Sequence, residues 1–141
     1  MTALVVDSSV AVKWFVPEVL SDQAVRLLDG SFELLAPDLL FPECGNVLWK
    51  KISRAEIGIE EARDIVHALG RVPMRVVESG RLLEAALEIA TTFRRTVYDS
   101  LYVALAVARD CAFVTTDDRL VTALSGGPLA RHVRGLATTR R

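Results

Sequence analysis

Residues 96–108 read TVYDSLYVALAVA, in which one aspartate, Asp99, stands at the start of an almost unbroken run of apolar helix formers. This run predicts a buried helix from Asp99 to Arg109. The chain continues with CAFVTT at residues 111–116, a short apolar run that predicts a strand. Helices that alternate with strands are the units from which α/β domains are built. These two segments therefore indicate the fold class, and the rest of the chain repeats their pattern.

The remaining segments extend the same alternation of strands and helices. Short apolar runs predict strands at residues 3–6, 32–36, 75–77, 111–115 and 132–136. Amphipathic or apolar periodicity predicts helices at residues 10–15, 21–28, 39–52, 59–69, 79–93, 99–109 and 119–124. Ser21 is expected to cap the second helix, and Pro42 to lie in the first turn of the third. The pattern predicts a single α/β domain over residues 1–141, with a mainly parallel central sheet, helices on both faces and a frayed tail from about residue 137.

The composition is that of a folded globular protein. Of the 141 residues, 51% are hydrophobic, which argues against intrinsic disorder. The formal net charge is −1, so the molecule as a whole does not attract nucleic acid or a membrane surface. Any polyanionic partner must therefore be bound by a local group of residues or a bound cation rather than by the net charge. The two cysteines, Cys44 and Cys111, lie in apolar sequence and are expected to be reduced and buried.

Neither a secretory signal nor a membrane span is expected. The N-terminal MTALVVD lacks a basic region and a long apolar core. No apolar run approaches the roughly 18 residues that a membrane helix needs. The expected location is therefore cytoplasmic.

Carboxylates recur where the predicted apolar segments end. Asp7 ends the first strand, and Asp117 and Asp118 follow the strand that ends in FVTT. Ligand sites of open parallel sheets form at the carboxyl ends of the strands. A connecting helix runs antiparallel to the strands that it joins, so Asp99 and Glu43, near the starts of their helices, are expected at the same edge. The topology alone brings these acids to one rim.

A structural role is the alternative for three of these acids. Asp7, Asp99 and Asp117 each stand where a helix N-cap is needed, and aspartate is among the best capping residues. Glu43 differs because its neighbours four positions away on either side are apolar, which places it on the inward stripe of its helix. An inward glutamate is costly unless it is paired or bound to a cation. The set therefore fits one acidic cavity better than it fits coincidental caps.

An acidic cavity of this kind indicates a metal cluster. Carboxylates that lie close together raise one another's pKa unless a cation neutralises them. The available donors are hard oxygens, with no cysteine or histidine ligand nearby in sequence, which selects Mg²⁺ or Mn²⁺ over zinc. Such ions bind phosphates and lower the pKa of a bound water. The pattern therefore predicts a metal-dependent site for a phosphodiester substrate.

Four segments of the chain match a known family. They are VVDSSVAVKWFVPE at residues 5–18, LLAPDLLFPECGNVLWKK at 34–51, TVYDSLYVALA at 96–106 and FVTTDDRL at 113–120. In this order they resemble the PIN domain, and more closely the VapC-type toxin ribonucleases of type II toxin–antitoxin systems. The resemblance implies a three-layer α/β/α sandwich and an Mg²⁺- or Mn²⁺-dependent endoribonuclease that hydrolyses RNA with metal-activated water. It also implies a homodimer and a cognate VapB-type antitoxin.

The same resemblance assigns roles to particular residues of this chain. The catalytic and metal-binding acids correspond to Asp7, Glu43, Asp99 and Asp117, with Asp118 as the alternative to Asp117, and with Ser9 and Thr115 in support.

Two other functions stand as alternatives. A phosphoaspartyl enzyme or receiver domain of similar topology would need a second acid beside Asp7 and a lysine after a late strand, and neither occurs. A catalytically inactive PIN-like binding module would be expected to lack one of the four acids, and all four are present.

Aromatic residues near the acids indicate a surface for a partner. The helix of Glu43 also contains Trp49, and the VKWF segment contains Trp14. These side chains are expected to pack or to form a partner groove rather than to stack on bases. We expect an antitoxin to lay an apolar segment there and to insert an arginine or lysine among the acids, because a guanidinium forms forked hydrogen bonds with carboxylates. His132 and two neighbouring arginines form a separate candidate patch for contact with RNA.

Overall fold

The computed structural model describes residues 1–139 and shows a five-stranded sheet between two layers of helices. The strands are β1 (Thr2–Val6), β2 (Phe32–Pro37), β3 (Arg75–Val77), β4 (Ala112–Thr115) and β5 (Val133–Gly135). Their order across the sheet is β3-β2-β1-β4-β5, and every neighbouring pair is parallel. The predicted α/β fold class with its three-layer arrangement is confirmed.

The helices connect and flank the strands. They are α1 (Ser8–Ala11), α2 (Ser21–Arg26), α3 (Leu40–Ser53), α4 (Ile59–Leu69), α5 (Ser79–Phe93), α6 (Val97–Ala108) and α7 (Asp118–Leu124). Short 3-10 turns cover Val12–Trp14, Ala130–His132 and Leu136–Thr138. The last of these turns lies in the tail that the sequence predicts to be frayed, and residues 140 and 141 lie outside the described part of the chain. Within residues 1–139, no helix is long and apolar enough to cross a membrane.

Alternation along the strands assigns their side chains to the two helical layers. In β1, Leu4 and Val6 belong to the core shared with α1, α2 and α3, whereas Val5 belongs to the core shared with α5, α6 and α7. In the sheet register, Val5 lies between Leu35 of β2 and Phe113 of β4, and all three are buried. The near-continuous apolar character of the strands follows from this burial on both faces.

Strand β1 marks the point where the chain changes direction across the sheet. From β1 the chain moves outward through β2 and β3, and the later strands β4 and β5 lie on the other side. In open parallel sheets, ligands bind at such a switch point, outside the carboxyl ends of the strands. Asp7 directly follows β1, and Thr115 is the last residue of β4. The topology therefore places both residues where a ligand site is expected.

Pro42 lies in the first turn of α3 as predicted, whereas the predicted cap of α2 was wrong. Ser21 is the first residue of α2, and the residue before it, Leu20, has a positive φ of 70°. The Ser21 hydroxyl instead accepts a hydrogen bond from the backbone N–H of Glu18 and donates one to the carbonyl of Val16. Serine is thus used here to close a loop before the helix.

The start of α6 was also predicted two residues too late. The helix begins at Val97, and the hydroxyl of Thr96 caps it by accepting a hydrogen bond from the backbone N–H of Asp99. Asp99 is therefore the third residue of the helix rather than its N-cap. Its carboxylate therefore does not serve as the cap of this helix.

The two cysteines are free and differ in exposure. Cys44 is buried as predicted, and burial raises the pKa of its thiol to about 12, so the group is unreactive. Cys111 is only half-buried, so the prediction of its burial was wrong. It directly precedes β4, at the amino-terminal edge of the sheet.

Candidate active site at the carboxyl edge of the sheet

Asp7 is held by three hydrogen-bond donors at the end of β1. Its Oδ1 accepts from the hydroxyl of Ser9 at 2.5 Å and from the backbone N–H of Val10 at 3.2 Å. Its Oδ2 accepts from the hydroxyl of Thr115 at 2.7 Å. Asp7 therefore caps α1, as the structural alternative proposed, and at the same time bridges the ends of β1 and β4.

Backbone groups orient both hydroxyls that face Asp7. The Ser9 oxygen accepts from the N–H of Thr116 at 3.2 Å, and the Thr115 oxygen accepts from the N–H of Asp117 at 3.1 Å. Each hydroxyl therefore has an acceptor position filled and turns its hydrogen toward the carboxylate. Burial raises the pKa of Asp7, while the hydrogen bonds from Ser9 and Thr115 oppose that rise. The hydrogen bonds fix the carboxylate and favour its ionised form, but burial outweighs them and the pKa stays above the ordinary aspartate value.

Glu43 enters the same edge from α3. Its side chain is half-buried, and its Oε1 accepts a hydrogen bond from the phenol of Tyr102. Burial raises the pKa of Glu43, and the charges of Asp7 and Asp99 raise it further, whereas the bond from Tyr102 lowers it. Glu43 therefore interacts electrostatically with two of the other predicted acids.

Tyr102 is a site residue that the sequence analysis missed. It lies three residues after Asp99 in α6, so both fall on one face of the helix. Its ring is buried and stacked on Phe113, with centroids 5.1 Å apart. Burial and the neighbouring carboxylate raise the pKa of the phenol, which keeps it protonated as a donor. The spacing from Asp99 was the signal that could have identified it.

Asp99 and Asp117 join Asp7 and Glu43 at this edge, and the four residues together are called the row of acids. Burial raises the pKa of Asp99, and the charge of Asp117 raises it further. A hydrogen bond from the Thr96 side chain and the positive charge of Arg95 lower it. Asp117 caps α7 by accepting from the backbone N–H groups of two residues, at 3.1 and 3.2 Å. The capping alternative thus holds for Asp117 and Asp7 but not for Asp99.

Asp118, the alternative to Asp117, is the first residue of α7 and is exposed. It borders a shallow surface pocket together with Arg95 and Arg119. No influence of Asp118 on the pKa of Asp7, Glu43 or Asp99 is found.

The acids interact pairwise along a row rather than as one closed cluster. The electrostatic influences join Asp7 to Glu43, Glu43 to Asp99, and Asp99 to Asp117. Within residues 1–139, no group of three or more His, Cys, Asp or Glu side chains is already arranged as a metal-binding group. All the donors in the row are oxygens, which is the donor set that hard divalent cations prefer. The row is chemically suited to such cations but is open in the arrangement shown.

His132 and Trp14 lie away from this row. His132 is buried near the amino-terminal edge of the sheet, with Nδ1 2.8 Å from the carbonyl oxygen of Cys111. A role in RNA contact at the carboxyl edge is therefore not supported for His132. Trp14 is 9% exposed, and its indole N–H donates to the carbonyl of Ala24 at 2.9 Å, so it packs rather than lining an open surface.

Comparisons with known proteins agree with this geometry. The family model described as PIN domain matches residues 4–123. Ribonuclease VapC3 of Pyrobaculum aerophilum is 34% identical over 119 residues, which cover 83% of this chain and 91% of the relative.

Two solved structures share the fold. The crystal structure of PAE2754 from Pyrobaculum aerophilum has a TM-score of 0.70 at 22% identity and covers 97% of this chain and 85% of that one. A toxin–antitoxin complex from Klebsiella pneumoniae has a TM-score of 0.62 at 10% identity and covers 94% and 97%, respectively. At these identities the likeness is one of fold alone. The family model spans most of the sequence, and Ribonuclease VapC3 matches this chain over 91% of its own length. The chain therefore belongs to the PIN domain family, with the VapC ribonucleases among its relatives.

Proposed function

We propose that this protein is the endoribonuclease toxin of a toxin–antitoxin pair. The observation that carries the proposal is the row of four carboxylates at the switch point of the sheet, with Asp7 fixed by two backbone-oriented hydroxyls. Its relative from Pyrobaculum aerophilum bears the name ribonuclease, and the complex from Klebsiella pneumoniae is a toxin–antitoxin complex. An enzyme acting on cellular RNA would work in the cytoplasm, which is part of the proposal.

The proposal includes Mg²⁺, with Mn²⁺ as a substitute, at the carboxylate row. The oxygen-only donor set fits such an ion, and Asp7, Glu43, Asp99 and Asp117 would hold it. When bound, the ion supplies positive charge for the phosphate and a bound water of lowered pKa. Because the apo row is self-repelling, a divalent cation also relieves the repulsion that raises the pKa values of Glu43 and Asp99.

The residues around the acids have supporting tasks in this proposal. Ser9 and Thr115 hold the Asp7 carboxylate in one orientation, and Tyr102 does the same for Glu43. A ligand whose own orientation is fixed by hydrogen bonds loses less freedom when it binds. The site is thus partly preorganised, even though its acids form an open row.

An apolar groove between α3 and α4 is the proposed surface for a VapB-type antitoxin. The groove has a volume of about 320 Å³, and it is lined by Gly45, Leu48, Trp49, Ile52, Ile59, Ala62, Arg63, Val66 and His67. Trp49 is 59% exposed there, and Ile59 and Val66 are also exposed. Large exposed apolar side chains that adjoin one another mark interaction surfaces. A helical antitoxin segment laid into this groove could extend an arginine toward the row of acids as a cation mimic.

Helix α5 offers a separate surface for the proposed homodimer. Leu83 and Leu87 lie one turn apart and are 51% and 57% exposed. Pairing of this face with its copy would be isologous, as in most dimers. Light scattering on wild type and on Leu87→Glu tests the surface, with Leu28→Glu, at an exposed leucine of another element, as the control. A Leu87→Glu protein that remains a dimer would exclude this face.

The proposed activity is tested by sequencing RNA ends after expression of the protein without its partner, and by cleavage with purified protein. Asp7→Asn, Glu43→Gln and Asp99→Asn are expected to abolish cleavage while the fold persists. Asp64→Asn makes the same chemical change at an exposed position of α4 and should cut like wild type. Wild-type cleavage by any of the three site variants would refute the assignment, and an RNA-binding wild type that cuts nothing would favour the inactive binding module.

A further inference from the structure

A second cavity lies directly beside Glu43, and its α3 residues differ from those that line the antitoxin groove. Its volume is about 330 Å³, within the lower range of small-ligand pockets of ~300–1,000 Å³. Its lining is Ser8, Leu39, Pro42, Glu43, Asn46, Val47 and Tyr98. The walls are therefore mainly apolar, with a carboxylate of the proposed site at one side.

Two helices place recognition groups next to the acids. Asn46 lies three residues after Glu43 in α3, so both side chains project from one face of that helix. Tyr98 immediately precedes Asp99 in α6 and is 62% exposed. The Tyr98 ring is therefore accessible to a ligand of the cavity that it lines.

Apart from Glu43, the polar side chains of the cavity have no hydrogen-bond partner in the described part of the chain. The Ser8 hydroxyl, the Asn46 amide and the Tyr98 phenol make no hydrogen bond to any of residues 1–139. The Asn46 amide presents a donor and an acceptor side by side. This pairing matches the edge of a nucleobase, where donors and acceptors also alternate.

We propose that this cavity binds an unpaired nucleobase of the RNA, from the nucleotide beside the scissile phosphate, with the base stacked on Tyr98 and its edge read by Asn46. This inference rests on the proposed ribonuclease function. Charge supports a base rather than a phosphate as the occupant, because Glu43 repels anions whereas a base is neutral. Proteins read single-stranded RNA by stacking splayed bases on aromatic side chains and by hydrogen bonds to their edges. The pocket thus gives the enzyme a preference for one nucleotide position.

The test is an abasic scan. Short unstructured RNAs, each with one base deleted at a different position around the cleavage site, are cut by wild type, Tyr98→Ala and Tyr98→Phe. For wild type and Tyr98→Phe, one abasic position should raise KM by about tenfold, as expected from the loss of one base–aromatic stack. For Tyr98→Ala, KM for intact RNA should rise by the same factor, and the abasic deletion should then have no further effect. Asn46→Ala should retain the abasic effect but lose discrimination among the four bases.

Trp49→Ala, which removes an exposed aromatic ring from the other face of α3, is the matched control and should leave the scan unchanged. Binding of the same fluorescein-labelled RNAs to metal-free protein, measured by anisotropy, separates the pocket from cleavage. Base-dependent affinity that is lost in Tyr98→Ala supports the pocket even if nothing is cut. Cleavage with equal abasic penalties in wild type and Tyr98→Ala overturns the pocket and leaves the nuclease intact. A Tyr98→Ala protein that handles RNA normally but binds antitoxin weakly overturns it in favour of the protein partner.

Discussion

At the scale of single residues, Asp7 shows that structural and chemical roles coincide. The carboxylate caps α1 and also accepts hydrogen bonds from two hydroxyl groups, one in α1 and one in β4. The sequence pattern identified Asp7 because it ends an apolar run, whereas Ser9 and Thr115 were assigned by the family resemblance. They did not identify Tyr102, because a tyrosine in a buried apolar helix is indistinguishable by pattern from a packing residue. Its bond to Glu43 joins positions 59 residues apart, and such a contact exists only in the fold.

Replacing Thr115 by valine should weaken the site through Asp7. The change keeps the shape of the buried side chain but removes the donor to Asp7 and leaves the N–H of Asp117 without its acceptor. We expect a loss of about 1–3 kcal/mol in the free energy of unfolding. We also expect Mg²⁺ affinity to fall by ~10–100-fold, as is typical when a group that orients a metal ligand is removed. Urea unfolding and calorimetric metal titration measure the two effects.

Thr115→Ser keeps the hydroxyl and is the control for this prediction. It should lose part of the stability through its missing methyl group while retaining metal affinity near that of wild type. If the valine and serine variants bind Mg²⁺ equally well, the hydroxyl has no part in the site.

At the scale of elements, the sequence was most informative where periodicity was long and bounded by clear signals. Helices α4 and α5 and strand β3 have the predicted bounds, and glycine marks both ends of α4. The start of α6 was misjudged because both Thr96 and Asp99 are good capping residues, and only the backbone shows which one caps. The pairing order of the strands could not be read from the sequence, since it depends on long-range contacts between them.

Ser100 in α6 provides a prediction at this scale. Its side chain is fully buried, and its hydroxyl has no hydrogen-bond partner among the described residues. An unsatisfied buried hydroxyl destabilises the fold, so Ser100→Ala should raise the free energy of unfolding by about 1 kcal/mol. The measurement is urea denaturation monitored by circular dichroism.

Ser21→Ala is the control of opposite sign. The Ser21 hydroxyl makes two hydrogen bonds before α2, so its removal should lower the stability. A Ser100→Ala protein that is less stable than wild type would show that the hydroxyl has a stabilising role.

At the scale of the whole molecule, the charge of the acidic row opposes folding in the absence of metal. Burial raises the pKa values of Asp7, Glu43 and Asp99 above their ordinary values, and repulsion between the acids raises those of Glu43 and Asp99 further. A carboxyl group with a raised pKa in the folded state favours the fold when it is protonated, and this contribution is lost as the pH rises through the folded pKa. The apo protein therefore keeps a charged site at neutral pH at the expense of stability, which a bound cation restores.

Asp99→Asn should reveal this cost. At pH 7 without divalent ions, the variant should melt above wild type, because it has no charge to bury and none to repel Asp117. The advantage should shrink as the pH falls through the raised folded pKa and vanish below the ordinary aspartate pKa of about 3.9. Millimolar Mg²⁺ should raise the melting temperature of wild type more than that of the variant. Melting curves at several pH values, with and without Mg²⁺, provide the test, and a pH-independent difference would contradict it.

A partner that mimics the cation should compete with the cation. We expect the affinity of the antitoxin for wild type to fall as Mg²⁺ is added, because its arginine and the ion would occupy the same acids. Trp49→Ala should weaken the complex by at least ~10-fold, as for a central aromatic anchor, without changing RNA cleavage. Titration calorimetry over a range of Mg²⁺ concentrations measures both. Antitoxin affinity that is independent of Mg²⁺, in a complex that still blocks cleavage, would place the partner's cationic residue elsewhere.

Helix α3 presents Glu43 and Asn46 on one face and Gly45 and Trp49 on another. A cell that holds several such pairs needs each inhibitor to ignore the other toxins. Substitutions on the Trp49 face can retune partner choice while the Glu43 face is conserved, so orthogonal pairs can diverge from one ancestor without loss of catalysis. A single-residue insertion between Asn46 and Trp49 has the opposite effect, because it turns one face against the other by about 100°. We therefore expect partner choice to evolve by substitutions in this helix, because an insertion or deletion between Asn46 and Trp49 would misalign its two faces.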